Sequence, residues 1–540
     1  MPKKLLERNI MVNINNITMR FGAQLLFEDI SFKLDQGKRY GLIGANGAGK
    51  STFMKILAGQ LEPTSGHISV DSGLRVGVLG QNQYAFEEYS LKDAVLYGNK
   101  RLFDAHKEKL NLYETGDFED DKVNDRLAEL EIICAEEDPT YECEVQVEKI
   151  LEALGFPAAM HDDLMSSLTG GDKFKVLLAQ VLFPRPDVLF LDEPTNNLDL
   201  EAISWLEEQL KRHEGTMVVI SHDRHFLNAV CTNILDVDFR KIREFTGTYD
   251  DWYIASTLIQ KQQEMDRNKK LKEKEELEGF IRRFSANASK AKQATSRQKQ
   301  LEKLEVGELQ MSSRRDPSIV FKRQRDIGNE ILEVKGVSKS YDEVVLDNIS
   351  FKVEKGDKIA LIGANGVGKT TLCEILMDHF GKDSDVVKWG ATIEATYFPQ
   401  NTTDLIKGDM QLFEWLQQFD DKQDLDEIRK CLGRMLFSGD EQKKSVKDIS
   451  GGEKHRMMLS KMMLQRGNFI ILDEPDNHLD LEAIIALGEA LYRFDGNVIC
   501  VSHDRELIDA FANRIIRIND DGTIEDFKGD YEAYREMHEA

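Results

Sequence analysis

Closely spaced cysteine pairs are missing from this chain, whose six cysteines are scattered over 540 residues. Neither a disulfide framework nor a zinc site is therefore indicated, and reduced thiols are expected. Long apolar runs are missing too. No stretch approaches the roughly 18 residues that a membrane span needs, and the N-terminus lacks the apolar core of a signal peptide. These absences predict a soluble, cytoplasmic protein with no membrane contact.

Positive charge is also scarce, since the formal net charge is −25 at pH 7. A protein that neutralises nucleic-acid phosphates needs lysine and arginine. The composition therefore argues against a general nucleic-acid binder and limits any RNA contact to a local patch. The length, with 41% hydrophobic residues, suggests roughly three to four domain-sized units.

Two glycine-rich loops share one pattern, in which a short apolar run precedes the loop and an unbroken helix follows it. Glycines there let backbone N–H groups surround phosphate oxygens at a helix N-terminus. Lys50 and Lys369 would reach the β and γ phosphates of a nucleotide, and the next hydroxyl, Ser51 or Thr370, would hold Mg²⁺. The predicted contact residues are Gly44, Asn46, Gly47, Gly49, Lys50, Ser51 and Thr52 in the first loop and Gly363, Asn365, Gly366, Gly368, Lys369, Thr370 and Thr371 in the second.

The loops belong to an internal repeat with an offset of about 320 residues. In both copies the loop lysine is 31 residues from a glutamine, a glycine pair is 21 residues from an acidic pair, and that pair is 29 residues from a histidine. One interval differs. Gln81 to Gly171 spans 90 residues and Gln400 to Gly452 spans 52, so the first copy carries an insertion of 38 residues.

The acidic pairs and the histidines each follow an apolar run that is typical of a buried strand. Asp192 and Asp473 suit a Mg²⁺ contact, and Glu193 and Glu474 suit orienting the attacking water. His222 and His503 fit donors aimed at the γ phosphate. An acidic pair at a strand end is more often a turn or helix cap, and a lone histidine is more often structural. The equal register in both copies favours a catalytic role.

A second kind of anion site is predicted where a hydroxyl and two glycines open a long helix. These residues are Thr169, Gly170 and Gly171 in the first copy and Ser450, Gly451 and Gly452 in the second. With two phosphate loops and two such helix starts in one chain, each loop could be closed by the helix start of the other copy.

Together these residues resemble the ATP-binding cassette (ABC) family, with its Walker A loop, Q-loop glutamine, signature, Walker B strand, D-loop aspartate and switch histidine. The resemblance implies ATP and Mg²⁺ as ligands and two cassettes that enclose two ATP molecules head to tail. Phe21 and Tyr341 match the family's adenine-stacking aromatic, although an aromatic near a strand is more often core packing. The implied metal contacts are Ser51, Gln81, Asp192, Thr370, Gln400 and Asp473, and the D-loop residues are Asp199 and Asp480.

The chain has two cassettes, no membrane domain and a long linker. In these features it resembles the ABC-F subfamily, and among bacterial types the YbiT type. This resemblance implies a ribosome-binding ATPase acting in translation, a monomer with paired cassettes and no transmembrane partner. The implied fold is α/β: two tandem P-loop NTPase (ABC) cassettes joined by a long α-helical hairpin linker. The expected units are cassette 1 at 10–259 with a helical arm at about 95–140, the linker at 260–330, and cassette 2 at 331–540.

The linker carries a local basic cluster in a chain that is otherwise acidic. Residues 258–305 contain no proline and one glycine, which favours a helical hairpin. A charged helix is usually a solvated face. Here no acidic residue interrupts positions 281–300, which favours contact with rRNA and tRNA phosphates. The predicted RNA contacts are Arg282, Arg283, Lys290, Lys292, Arg297 and Lys299.

The arm, which in relatives contacts the stalk region of the ribosome, is acidic: residues 114–138 hold eleven acidic side chains against Lys122 and Arg126. Two alternatives stay open. The arm could face a basic ribosomal protein, or contact could fall to the basic flank that contains Lys100, Arg101, Lys107 and Lys109.

Departures from the family pattern affect the second phosphate loop. Thr169 replaces the usual signature serine, and Asp172 replaces a longer Gln or Glu. We therefore expect the site built on Lys369 and Glu474 to hydrolyse ATP more slowly than the other site. Asp476, which stands where Thr195 stands in the first copy, receives no catalytic role. The rival functions are a soluble ATPase subunit of a membrane transporter and a DNA-repair ATPase.

Overall fold

The computed structural model describes a large part of the chain, with gaps that fall mainly in the linker. The described residues are 12–22, 24–71, 73–80, 82, 84–115, 120–196, 198–284, 296, 298–299, 301, 316–341, 344–382, 384–403, 405–419, 424–477 and 479–539. Among them, no helix is both long and apolar enough to cross a membrane.

Each repeat copy folds into a three-stranded antiparallel sheet and a six-stranded, mostly parallel sheet. In the first cassette the small sheet has the order β2-β1-β4 and the large one β5-β6-β7-β3-β8-β9. The bounds are β1 Val12–Phe21, β2 Gln24–Leu34, β3 Arg39–Gly44, β4 Ser65–Val70, β5 Val76–Val78, β6 Val188–Asp192, β7 Thr216–Ile220, β8 Asn233–Asp238 and β9 Lys241–Thr246.

The second cassette repeats this topology, with sheet orders β11-β10-β13 and β14-β15-β16-β12-β17-β18. Its strands are β10 Leu332–Ser340, β11 Val344–Val353, β12 Lys358–Ile362, β13 Val387–Trp389, β14 Ala395–Phe398, β15 Phe469–Asp473, β16 Asn497–Val501, β17 Arg514–Ile518 and β18 Ile524–Phe527. The central strands are buried along their whole length, as parallel strands covered on both faces require.

Helices cover both faces of the large sheets. In the first cassette they are α1 Lys50–Leu57, α2 Leu91–Leu96, α3 Lys100–Thr115, α4 Asp121–Glu137, α5 Cys143–Ala153, α6 Gly170–Leu182, α7 Leu200–Lys211, α8 Arg224–Val230 and α9 Tyr249–Phe284. In the second they are α10 Lys369–Asp378, α11 Leu412–Gln417, α12 Leu425–Arg434, α13 Gly451–Gln465, α14 Leu481–Arg493, α15 Arg505–Phe511 and α16 Tyr531–Glu539.

The insertion in the first copy contains α3 and α4, which pack against each other. Arg101, near the start of α3, pairs with Glu136 near the end of α4 at 2.7 Å. Further along, Arg126 of α4 binds Glu108 of α3 at 2.8 Å. These cross-pairs indicate that the two helices run antiparallel, with much of the arm's positive charge neutralised by its own carboxylates.

Helix α9 begins inside the first cassette and continues into the linker. Its N-terminal turn belongs to the cassette core, since Tyr249 and Trp252 are buried there. The equivalent helix of the second cassette is α16, which is described over 9 residues, and α9 is described over 36. At about 1.5 Å per residue, α9 is about 54 Å long. The linker helix is therefore an extension of an element that both cassettes possess.

The two cassettes contact each other along a seam, where a leucine side chain of each cassette packs against the hydrophobic core of the other. Leu481 of α14 packs into the core of the first cassette, and Leu200 of α7 packs against that of the second. Arg505 of the second cassette donates to Ser204 of the first at 2.6 Å. Apolar and polar contacts thus hold the seam together.

Candidate active site at the cassette seam

A cavity of about 430 Å³ lies at the seam and is lined by both cassettes. The second cassette contributes its phosphate loop, and the first contributes the start of α6. The predicted site residues that line it are Thr169, Gly170, Gly171, His222, Asn365, Gly366, Gly368, Lys369, Thr370, Thr371, Gln400, Glu474 and His503. The structure therefore places the phosphate loop of one copy opposite the signature helix start of the other.

Both phosphate loops have the backbone conformation that the glycine pattern predicts. Gly49 and Gly368 cap their helices with φ of 99° and 101°, a left-handed conformation that favours glycine. A Cβ at Gly368 would lie 2.6 Å from Val345. The glycines thus let each loop turn directly into α1 or α10, whose free N–H groups favour an anion.

Each loop lysine is folded back onto its own loop. Lys50 Nζ donates to the carbonyls of Gly44 at 2.7 Å and Ala45 at 3.3 Å. Lys369 Nζ donates to those of Gly363 at 2.9 Å and Ala364 at 2.8 Å. Burial lowers the pKa of Lys369, while Glu474, Asp199 and Asp473 oppose that change. These contacts hold a positive charge at the centre of each loop.

The Walker B aspartates fit a magnesium ion. Asp473 is fully buried, and neither of its carboxylate oxygens has a hydrogen-bond partner of good geometry among the described residues. Burial raises its pKa to about 7, against the opposing influence of the nearby Thr370 hydroxyl. In the first cassette burial raises the pKa of Asp192, and Ser51 opposes the rise. A divalent cation held between hydroxyl and carboxylate would satisfy these oxygens.

The glutamates that the sequence predicts to be catalytic differ in their partners. In the first cassette Glu193 Oε2 accepts from the backbone N–H of His222 at 3.2 Å, and Oε1 lies 3.3 Å from His222 Nε2. In the second, Glu474 Oε2 accepts from Asn477 Nδ2 at 2.8 Å. Neither ring nitrogen of His503 has a hydrogen-bond partner among the described residues. The two copies therefore hold the same glutamate–histidine pair in different arrangements.

The electrostatics of these pairs follow from burial. Burial raises the pKa of Glu193 to about 7, with Lys50 opposing the rise. Burial and the charge of Lys369 lower the pKa of His503 to about 3, so this imidazole stays neutral at physiological pH. Both glutamates also have left-handed backbones, with φ of 52° at Glu193 and 48° at Glu474. Such strain in a non-glycine residue is typical of functional sites.

The first phosphate loop has different surroundings. A cavity of about 10 Å³ lies beside Gly44, Lys50 and His222. It is also lined by Tyr249 and Trp252, in the first turn of α9, which we call its root, and by Leu481 and Glu482 of the second cassette. The predicted residues Ser450, Gly451 and Gly452 are not among the described residues that line this cavity or the larger one. Asn46, Gly47 and Ser51 are exposed and Thr52 is half-buried.

The remaining predicted residues lie at the periphery or outside the described part. Phe21 and Tyr341 are 53% and 66% exposed at strand ends, so neither packs in a core. Gln81, Lys290, Lys292 and Arg297 lie outside the described residues. Arg282 and Arg283 belong to the last turn of α9, and Lys299 is exposed.

Sequence reasoning missed several residues at the seam. Asp476, to which it gave no role, lines the large cavity together with Thr195, Asp223 and Asp504. The two aspartates Asp223 and Asp504 directly follow the histidines and cap α8 and α15. Their equal position after His222 and His503 was a signal that could have identified them. For Asp476, the only signal was its difference from Thr195.

Comparison with known proteins identifies the family. Two family models, both described as "ABC transporter", match the chain, one at residues 27–196 and 346–477 and the other at 235–321. ABC transporter F family member 5 of Arabidopsis thaliana is 32% identical, over 98% of this chain and 77% of that protein. The chain belongs to the ABC-F subfamily of ATP-binding cassette proteins. This ABC-F protein is therefore an ATPase, and the tandem α/β cassettes predicted from the motifs are confirmed.

Bacterial relatives of this ABC-F protein match it almost end to end. The uncharacterized ABC transporter ATP-binding protein YkpA of Bacillus subtilis is 47% identical, over 95% of this chain and 96% of its own. The probable ATP-binding protein YbiT of Escherichia coli O157:H7 is 44% identical, over 97% and 99%. The resemblance inferred from the motifs is thus confirmed.

Solved structures share the fold of this ABC-F protein at low sequence identity. The archaeal ribosome recycling factor aABCE1, in complex with the ribosomal stalk protein aP1, matches with a TM-score of 0.61 at 18% identity, over 97% of this chain and 92% of that one. A structure named RNase-L Inhibitor matches with a TM-score of 0.59 at 19% identity, over the same shares. At these identities the likeness establishes the fold alone.

Proposed function

We propose that this ATPase binds the ribosome and regulates translation. ATP with Mg²⁺ would close the two cassettes and set the linker against tRNA and rRNA, and hydrolysis would release it. The observation that carries the proposal is the root of α9. Tyr249 and Trp252 line a small cavity together with Lys50 and His222 at the first phosphate loop, and the same helix, about 54 Å long in all, continues into the linker. A change at the nucleotide therefore acts directly on the linker helix.

A single guanidinium connects this root to the second cassette. Arg224, two residues after His222, donates from Nε to Asp250 Oδ1 of α9 at 2.7 Å. It lies 5.9 Å and 5.8 Å from the ring centres of Tyr249 and Tyr253, and it also pairs with Glu506 of the second cassette. Opening of the seam would break the pair with Glu506 and alter the support of α9.

The surface of α9 supports a binding role. Ile254, Leu258 and Ile259 are each more than half exposed, so the helix presents apolar side chains beyond the cassette core. Exposed apolar groups on a protruding helix are typical of an interaction surface. The basic cluster at 281–300, in which no acidic residue occurs, would then supply the phosphate contacts.

For the arm, the ion pairs favour a basic protein partner over RNA. Lys107 is bound to Asp93 at 2.7 Å, and Lys109 pairs with Glu131. Arg101 binds Glu136 and Glu137 at 2.7 and 2.9 Å. Three of the four basic side chains of this flank, Arg101, Lys107 and Lys109, are therefore paired with the protein's own carboxylates. Exposed Tyr113 and Ile132 beside the remaining acidic groups fit a basic ribosomal protein of the stalk region.

Co-sedimentation of the Glu193→Gln, Glu474→Gln double variant tests the proposal. In ATP this variant binds nucleotide without hydrolysing it, so we expect it to pellet with ribosomes, and to stay in solution in ADP. The matched control, Lys50→Ala with Lys369→Ala, should stay in solution in both nucleotides. Ribosomes, DNA and lipid vesicles are offered in separate tubes. Pelleting with vesicles or DNA, but not with ribosomes, would reject the proposal in favour of a transport or repair ATPase.

A further inference from the structure

Asp476 occupies a position that the two cassettes fill with different chemistry. In the first cassette this position is Thr195, whose hydroxyl lies 3.1 Å from that of Ser221, so two neutral groups meet. In the second cassette the equivalent serine, Ser502, lies beside the carboxyl of Asp476 and favours its ionised form. The Oδ1 atom of Asp476 is buried and has no hydrogen-bond partner among the described residues. An ionisable group thus replaces a hydroxyl at the edge of one nucleotide cavity.

The groups that face Asp476 are mostly acidic. Glu474 comes from the same segment. His503 and Asp504 come from the loop that follows β16, and Asp223 comes from the first cassette across the seam. Cys500 of β16 is also nearby, and Lys369 is the cation of the same cavity. Burial raises the pKa of Asp476 to about 7, and the negative charges of Glu474 and Asp223 contribute to the rise. Asp476 therefore changes its charge near neutral pH.

The neighbouring glutamate differs at the same place. Glu193 contacts His222, whereas Glu474 is bound by Asn477, the residue directly after Asp476. The segment that carries Asp476 thus also holds the carboxylate that orients the attacking water. A change in the charge of Asp476 would therefore alter the electrostatic potential at this segment and at the side of the cavity that faces the phosphates.

We propose that Asp476 is a positioning residue of the cavity built on Lys369, which holds the γ-phosphate of ATP well when the Asp476 carboxyl carries a proton and poorly when that proton is lost. The physical cause is repulsion between the carboxylate and the anionic phosphate in a buried cavity where Glu474 already adds negative charge. This inference depends on ATP binding at the cavity and is independent of ribosome binding. It gives the two ATP sites different responses to pH.

The test is a titration of the full-length protein with a fluorescent, non-hydrolysable ATP analogue and Mg²⁺ between pH 6 and pH 8.5. Lys50→Ala removes binding at the first phosphate loop, so that the cavity built on Lys369 is observed. In this background we expect the affinity to fall about tenfold from pH 6 to pH 8.5, which corresponds to a shift of one unit in the pKa of Asp476. With Asp476→Asn, the isostere of the protonated carboxyl, and with Asp476→Thr, the residue of the first cassette, the affinity should change less than twofold. Parallel pH curves in parent and variants would overturn the proposal.

The first site provides the matched control. In a Lys369→Ala background only the first phosphate loop binds nucleotide, and Asp476→Asn should leave its pH curve unaltered. If Asp476→Asn changes both cavities alike, or abolishes binding at every pH, the residue maintains the general structure and the proposal is rejected.

Discussion

Arg224 and Asp250 are joined by a hydrogen bond of 2.7 Å that connects α8, which follows His222, to the first turn of the linker helix α9. Because the same guanidinium pairs with Glu506 of the second cassette, one side chain connects both cassettes and the linker. The linker helix is therefore supported at the point where the cassettes meet.

Arg224→Ala should separate ATP hydrolysis from linker positioning. The substitution leaves Asp250 and Glu506, which are both partly exposed, without their shared partner, at a cost of about 1 kcal/mol. We expect ATP-dependent co-sedimentation with ribosomes to fall strongly while nucleotide binding persists. Arg212→Ala, which removes an exposed arginine paired with Glu208 on the same cassette, is the control and should behave as the parent. Equal ribosome binding by the two variants would contradict the coupling.

The two ATP sites should turn over at different rates. The Thr169 hydroxyl donates to Asp172 Oδ2 at 2.7 Å, so its proton is not directed at a phosphate. In the other copy the longer Glu453 reaches the backbone N–H of Ser450, from which it accepts a hydrogen bond of 2.8 Å. Since the first signature faces Lys369, we expect Glu193→Gln to lower ATPase activity more than Glu474→Gln does. Equal losses would count against this asymmetry.

The signature residues can be exchanged to test the cause. In a Glu193→Gln background, Thr169→Ser with Asp172→Glu should raise turnover by about fivefold, equivalent to about 1 kcal/mol of barrier. The reciprocal change, Ser450→Thr with Glu453→Asp in a Glu474→Gln background, should lower it. Steady-state phosphate release at saturating ATP is the measurement. No change in either direction would assign the asymmetry to another residue.

Some residues of the candidate site can be predicted from the sequence, and others become evident only in the folded structure. Spacing located the phosphate loops and the residues Glu193, Glu474, His222 and His503, because this chemistry depends on local motifs. Asp476 was missed because the charges around it come from Asp504 and from Asp223 in the other cassette, which only folding brings together. The sequence alone could not decide whether the basic flank of the arm contacts a partner, because it does not reveal that side chains of α3 and α4 form ion pairs with each other.

Activity at the first site should rise with pH. Burial places the pKa of Glu193 at about 7, and a carboxyl that activates or orients water must be ionised. In a Glu474→Gln background at saturating ATP, we expect the rate to increase from pH 6 to pH 8 with a midpoint near 7. A rate that stays flat across this range would show that ionisation of Glu193 does not limit the reaction.

Magnesium should stabilise the protein through Asp473. Because burial raises the pKa of Asp473 in the folded state to about 7 from an ordinary value of 3.8, its contribution to stability is fully present below pH 3.8 and is lost as pH rises through 7. At pH 8 the nucleotide-free protein should therefore be destabilised by roughly 2–4 kcal/mol. Asp473→Asn should raise the melting temperature at pH 8 but not at pH 4, and should reduce the stabilisation by Mg²⁺. A melting temperature that is equally changed at both pH values would contradict this assignment.

The central claim is that two ATP-bound cassettes set a basic linker against ribosomal RNA and tRNA. The most direct test is a cryo-electron-microscopy map of the Glu193→Gln, Glu474→Gln variant bound to ribosomes in ATP. The account predicts nucleotide at Lys50 and at Lys369, residues 282–299 against RNA, and the arm against a basic ribosomal protein. A map in which the cassettes are closed on ATP but residues 282–299 contact no RNA would contradict it.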